Sequence, residues 1–134
     1  MSLIWRLSSG PIALPSGWAW ELATNFAHGP FFGVLAVLAA RAADARPGAA
    51  SGRSLGLGFA VALAWGVTDE WHQSRVPGRT TSLFDLLTDA TGAAAAVALL
   101  ALAHRRASAA AAARGVALGV AAVLVSAALA TAFG

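Results

Sequence analysis

Four apolar runs alternate with short, arginine-bearing joints along the chain, at about 24–43, 55–73, 83–103 and 115–132. A helix that crosses a bilayer needs roughly 20 apolar residues, within a range of about 17–25. The first, third and fourth runs meet that length outright. The second, Leu55 to Thr68, reaches it only by taking in Asp69 to Gln73, so its end carries polar groups at or below the membrane interface. The pattern predicts an all-α fold, an integral membrane bundle of about four transmembrane helices that forms one domain over 1–134. Residues 1–23 stand apart. Met1 to Arg6 is too short to span, and Gly10-Pro11 and Pro15-Ser16-Gly17 break any helix. No n-region, apolar core and cleavage site mark a signal peptide. The stretch is expected to be a non-spanning lid or interfacial segment.

Composition strengthens the membrane reading. Hydrophobic residues make up 58% of the chain and charged residues 11%, with a mean hydropathy of +0.70. Soluble domains carry about a quarter charged residues. Cysteine is absent, which excludes disulfides, a thiolate nucleophile and Cys-ligated zinc. The nine basic residues are all arginine, so there is no Schiff-base or P-loop lysine. With the heavy use of Ala and Gly, this points to a GC-rich coding bias.

A pI near 11.5 would suggest nucleic acid in a soluble protein. Here the arginines sit between apolar runs, so no nucleic-acid partner is expected and the lipid bilayer is the first partner. Arg41, Arg46 and Arg53 fall between the first two runs, and Arg105, Arg106 and Arg114 between the last two. Arg6, Arg75 and Arg79 fall on the opposite side. The excess of arginine places the first set in the cytoplasm and turns the Asp69–Asp85 region outward. All five tryptophans, Trp5, Trp18, Trp20, Trp65 and Trp71, lie toward that outer side, where interfacial indoles are favoured.

Small residues crowd the runs: Gly56 and Gly58, then Gly92 to Ala96, then Gly115-x-x-x-Gly119, a spacing that permits close helix approach. The Ala107–Ala113 run is expected to extend a helix end.

The chemistry gathers at the outer mouth. An Asp, Lys or Arg at the centre of a span costs about 2.5–3.5 kcal/mol on insertion scales. Residues three and four apart share a helix face. Asp69 therefore aligns with His72 and Gln73, Glu70 with Gln73, Asp85 with Asp89, and Asn25 with His28. Three helix mouths thus bring two histidines, four acids and two amides toward one region, with Arg75 and Arg79 in the connecting loop. Each group also has a structural reading. Ser82-Leu83-Phe84-Asp85 matches a capping pattern, so Asp85 has a helix-start reading that does not exclude a second role. Asp89 lies about 10 Å inside its helix and needs a partner, for which Arg75 or Arg79 is expected. His28 beside Pro30 reads first as a structural hydrogen-bonder, whereas His72 beside Asp69 and Glu70 is the better functional group. Pro77-Gly78 supplies a tight turn.

The motif Asp69-Glu70-Trp71-His72-Gln73, Val76-Pro77-Gly78-Arg79, Asp85-Leu86-Leu87-Thr88-Asp89 and Gly92-Ala93 resembles the signature of the VanZ-like family. These are small bacterial membrane proteins named after a teicoplanin-resistance accessory protein. The family pattern is D-E-x-x-Q, a P-G-R loop, then D-x-x-x-N and a glycine, and Asn25-Phe26-Ala27-His28 resembles an earlier family motif. The likeness runs from about Leu7 to Ala103. Asp89 stands where the family usually has Asn. The family usually has a span before Ser8-Ser9-Gly10-Pro11, where only about seven residues stand here, so that helix is expected either to be missing or to begin upstream of Met1. The resemblance implies a multi-pass protein of the bacterial cytoplasmic membrane, in a cell-envelope setting that includes glycopeptide resistance. It implies no reaction.

Three functions compete. The first is binding or shielding of a cell-wall precursor or lipid-linked ligand through His28, Asp69, Glu70, His72, Gln73, Arg75, Arg79, Asp85 and Asp89. The second is a membrane-embedded hydrolase or transferase, with Asp69, Glu70 and His72 as candidate catalytic residues, since a carboxylate beside an imidazole can move protons. Ser74-Arg75-x5-Thr81-x3-Asp85 has the spacing of a lipid-phosphate phosphatase motif. Thr81 replaces its nucleophilic histidine, and Pro15-Ser16-Gly17-Trp18 lacks another. The balance leans away from an enzyme. The third is an accessory subunit docked through small-residue faces into a larger membrane complex. No cofactor is expected, and the adjacent arginines argue against a hard cation held by the four acids.

Overall fold

The computed structural model describes residues 17–44, 50–76 and 81–134, and these contain four helices. They are α1 (Trp18–Ala43), α2 (Gly52–Gln73), α3 (Leu83–His104) and α4 (Ala109–Phe133). Outside the described residues lie the N-terminal stretch through Ser16 with Trp5 and Arg6, then Arg46, and Pro77, Gly78 and Arg79, where a tight turn is expected. Three helices, α1, α3 and α4, are long and apolar enough to cross a membrane. The α2 helix, which carries Arg53 near one end and Asp69 and Glu70 near the other, is not among them.

The helix starts follow from local chemistry. Gly17, at φ 140°, stands before α1 in a conformation that L side chains rarely adopt, and its carbonyl accepts from Trp20 and Glu21. The helix therefore begins at Trp18, and residues 18–23, expected to be non-spanning, form its opening turns. Ser51, Ser82 and Ser108 cap α2, α3 and α4 through their hydroxyls. Ser108 accepts from the Ala111 N–H, so the alanine run from Ala109 is the first part of α4, as the sequence suggests. Asp44 ties the α1–α2 joint shut, accepting from Ser51 and, at 2.9 Å, from Ser54.

The α1 and α3 helices form the central pair, with α2 packed on one side of it and α4 on the other. Small residues make this possible. At the α1–α3 crossing, a Cβ on Gly92 would strike the backbone of Gly29, and a Cβ on Gly33 would lie 3.1 Å from the Gly92 carbonyl oxygen. Gly58 brings α2 against Ala36 and Ala40 in the same way. Gly115 faces Leu99 and Leu102, and Gly119 faces Ala95, so the G-x-x-x-G face of α4 packs on α3. The core is built of Phe32, Ala36, Ala62 and Ala93, with Leu35, Phe59, Trp65 and Val97 against it. Large apolar residues instead face outward, among them Val34, Leu38, Val61, Leu118 and Val125. Small residues inside and large apolar ones outside is the arrangement expected where the surrounding medium is hydrocarbon.

Candidate functional site

The polar groups collect at one end, where α1 and α3 begin and α2 and α4 end. The Gly29–Gly92 crossing decides what can meet there. It brings α1 and α3 into backbone contact one residue from His28 and one turn from Asp89. His28 Nδ1 lies 3.1 Å from Asp89 Oδ1. Asp89 is 3% exposed, and the other face of its carboxylate looks onto Gly66 of α2, where a Cβ would stand 3.1 Å from Oδ2. Three helices thus enclose one carboxylate. The His28 ring stacks on Phe32 at 6.2 Å and stays 39% exposed along its side chain. One hydrogen must lie between imidazole and carboxyl for this contact to hold, on either partner.

Around this pair the acids are close enough to act on one another. Asp69, Asp85 and Asp89 all exert their fields on His28, and the same three aspartates act on Glu70. Asp69 accepts a 2.7 Å hydrogen bond from Gln73 Nε2, the face-sharing pair anticipated from their spacing. Glu70 turns away from Gln73 and accepts from the Ser82 backbone N–H at 3.0 Å. Ser82 Oγ accepts from the Phe84 N–H. Glu70 thus completes, from another helix, the reciprocal cap that was one of the two readings of Asp85. Its negative charge beside the first turn of α3 also suits the helix dipole. Beside Glu70 lies a hollow of about 290 Å³, lined by Val67, Glu70, Ser74, Thr81, Ser82, Leu83 and Leu86.

Other expected members take different places. Arg75 does not pair with Asp89; its guanidinium sits 3.7 Å above the Trp71 ring, at the rim, and His28 takes the place expected for an arginine. The cation–π contact keeps the arginine near water, where its charge costs little. Arg79 lies outside the described residues. Asn25 does not join His28: it donates to Thr131 Oγ1 of α4 at 3.1 Å. His72 is half-buried near the end of α2 and makes an interaction of its own. Among the described residues no three His, Asp or Glu side chains converge as metal ligands, and no buried side-chain polar atom lacks a hydrogen-bond partner. Sequence reasoning missed Ser74, Thr81 and Ser82 as hollow-lining hydroxyls, and missed Gly29 and Gly66 as the spaces that admit the His28–Asp89 pair. The available signal was glycine one residue or one turn from His28, Asp69, Glu70 and Asp89.

A second, apolar groove of about 330 Å³ runs between α1, α3 and α4, lined by residues such as Phe26, Pro30, Gly33, Leu99 and Val120. Phe26 and Pro30 flank His28 at two residues' distance, so on a helix they point about 160° away from it. Groove and polar cluster therefore occupy opposite faces of α1.

An all-helical bundle with three membrane-length apolar helices and an acid-rich polar mouth defines a small multi-pass type of membrane protein. Residues 2–104 match the VanZ/LLP1 family, and the chain belongs to it. The match takes in α1, α2 and α3 and with them the acids and histidines of the mouth; α4, with Thr131, lies beyond it. Comparison with curated proteins and with solved structures gave no match.

Proposed function

We propose that this chain is a ligand-binding protein of the bacterial cytoplasmic membrane, with four spans, whose outward mouth holds the polar head of a cell-wall precursor or another lipid-linked ligand. The observation that carries this reading is the buried Asp89, met by a half-exposed His28, with Asp69, Glu70 and Asp85 around it. Ionisable groups inside a membrane bundle are costly, and by default they mark a site of function. The glycine crossing already holds α1 to α3, so helix packing alone gives no reason for a carboxylate there. Carboxylates accept from hydroxyl and amide donors, which suits a sugar or peptide head group. Arg75 at the rim would meet an anionic group of the same ligand, and Arg79, four residues on in the sequence, is the expected second cation. His72 and Gln73 would border the bound head group. The arginine-rich joints lie in the cytoplasm in this reading, and α2 acts as the second span with Asp69 and Glu70 at its outer interface.

Two observations turn the reading from catalysis toward binding. Glu70 already accepts from the Ser82 N–H and Asp69 from Gln73 Nε2, and each keeps acceptor lone pairs for a ligand's donors. The test is binding of a polyprenyl-diphosphate-linked disaccharide pentapeptide to the protein in nanodiscs, set against plain phosphatidylglycerol. The parent should favour the precursor, and an Asp69→Asn/Asp85→Asn variant should lose about tenfold or more in affinity, one hydrogen bond to a charged group being worth about 1.5–3 kcal/mol. Equal binding of both lipids by the parent, or equal affinity in parent and variant, removes the proposal.

A further inference from the structure

We infer that the outer half of α1, Trp18–His28, is a gate that turns about Gly29–Pro30 and is latched shut by the His28–Asp89 and Asn25–Thr131 hydrogen bonds. Burial changes at that point. No residue from Trp18 to His28 is buried, whereas Gly29, Phe32, Gly33, Ala36 and Ala40 all are. The inner half of α1 is fixed in the core, and the outer half lies on the bundle without entering it. The break in packing coincides with a break in the helix ladder. Pro30 has no N–H, so the Phe26 carbonyl loses its helical donor, and Gly29 before it has little conformational preference for a helix. Kinks in long helices fall at such positions.

Among the described residues, two side-chain hydrogen bonds tie the outer half to other helices, and both lie on the mouth side of the break. His28 is tied to α3 at 3.1 Å and Asn25 to α4 at 3.1 Å. One turn of α1 thus fastens the segment to both α3 and α4. Opening would lift His28 from Asp89, which is 3% exposed, and lay that carboxylate open to the mouth. The gate thereby controls entry to the site proposed above. Its biological purpose rests on that reading; its motion does not.

The chain contains no cysteine, so paired nitroxide labels can be placed freely. One pair, Ala23→Cys with Phe133→Cys, spans the outer halves of α1 and α4 at exposed positions. A control pair, Leu38→Cys with Leu118→Cys, spans the inner halves, also exposed. Distances are measured by pulsed electron resonance in lipid nanodiscs without ligand. His28→Ala/Asn25→Leu should raise the long-distance population of the outer pair by up to about tenfold, since such bonds are individually weak in membranes. The inner pair should not move. Adding Pro30→Ala, which restores the missing hydrogen bond, should return the outer pair toward its closed distance. An unchanged outer pair means a rigid helix and overturns the inference; so does a change in both pairs together, which means a loosened bundle. Neither result depends on whether the mouth binds a precursor.

Discussion

Gly92→Ala is the sharpest perturbation of this architecture, because a single methyl would meet backbone. A Cβ at Gly92 runs into the carbonyl oxygen and carbon of Gly29, with no flexible side chain to give way. The α1 and α3 axes must separate, and the His28–Asp89 contact one turn away must lengthen with them. Overpacking of this kind costs about 1–3 kcal/mol, and loss of one interhelical hydrogen bond in a membrane adds about 0.6–1.7 kcal/mol. The expected destabilisation is roughly 2–4 kcal/mol. Gly56→Ala is the matched control: nothing lies within 4 Å of its Cβ position, so the better helix former should leave stability unchanged or raise it by up to about 1 kcal/mol. Reversible unfolding of both variants in mixed detergent micelles measures the difference. If Gly92→Ala lies within about 0.5 kcal/mol of Gly56→Ala, the backbone contact does not hold α1 to α3 and the positioning of His28 needs another cause.

Three further outcomes follow from the same contacts. His28→Leu alone should destabilise the bundle by leaving the Asp89 carboxylate buried without its imidazole, whereas His28→Leu/Asp89→Leu should unfold close to the parent's midpoint, since apolar replacement of a buried pair is often neutral; comparison of the two unfolding midpoints decides it. Glu70→Gln keeps an acceptor for the Ser82 N–H and should leave the start of α3 protected, while Glu70→Ala should cost about 1 kcal/mol and speed amide exchange over Leu83–Leu87. A cysteine at Ser74 should be labelled by an impermeant maleimide on intact cells and one at Ser108 only after permeabilisation, both positions being exposed at opposite ends of the bundle; the reverse pattern inverts the orientation.

Much of the fold was legible because hydrophobic length is a one-dimensional signal. The third run, 83–103, matches Leu83–His104 closely, and the ends at Ala43 and Gln73 coincide with the expected ones. Starts were harder. The opening turns of α1 hold Trp18, Trp20 and Glu21 and lower the apolar average, yet their backbone continues the helix once Gly17 has turned the chain. The polar site was legible as a list and not as pairs. Spacing along one helix gave Asp69 with Gln73, because four residues apart is a geometric constraint. No such constraint links His28 to Asp89, 61 residues apart, or Asn25 to Thr131, 106 apart. Those pairs depend on where Gly29 and Gly92 let two helices cross. Charge alone favoured an arginine for Asp89, and desolvation overrides it. Arg75 is better placed on Trp71 at the rim than drawn to the depth of Asp89.

In the proposed function, the mouth formed by α1, α2 and α3 receives a polar head group at its carboxylates. An experimental structure of the protein in nanodiscs loaded with the polyprenyl-linked disaccharide pentapeptide tests it most directly. Head-group density is expected within hydrogen-bonding distance of Asp69 or Asp85, extending toward the hollow beside Glu70. Density confined to the apolar groove between α1, α3 and α4, with the mouth holding only solvent, would contradict it.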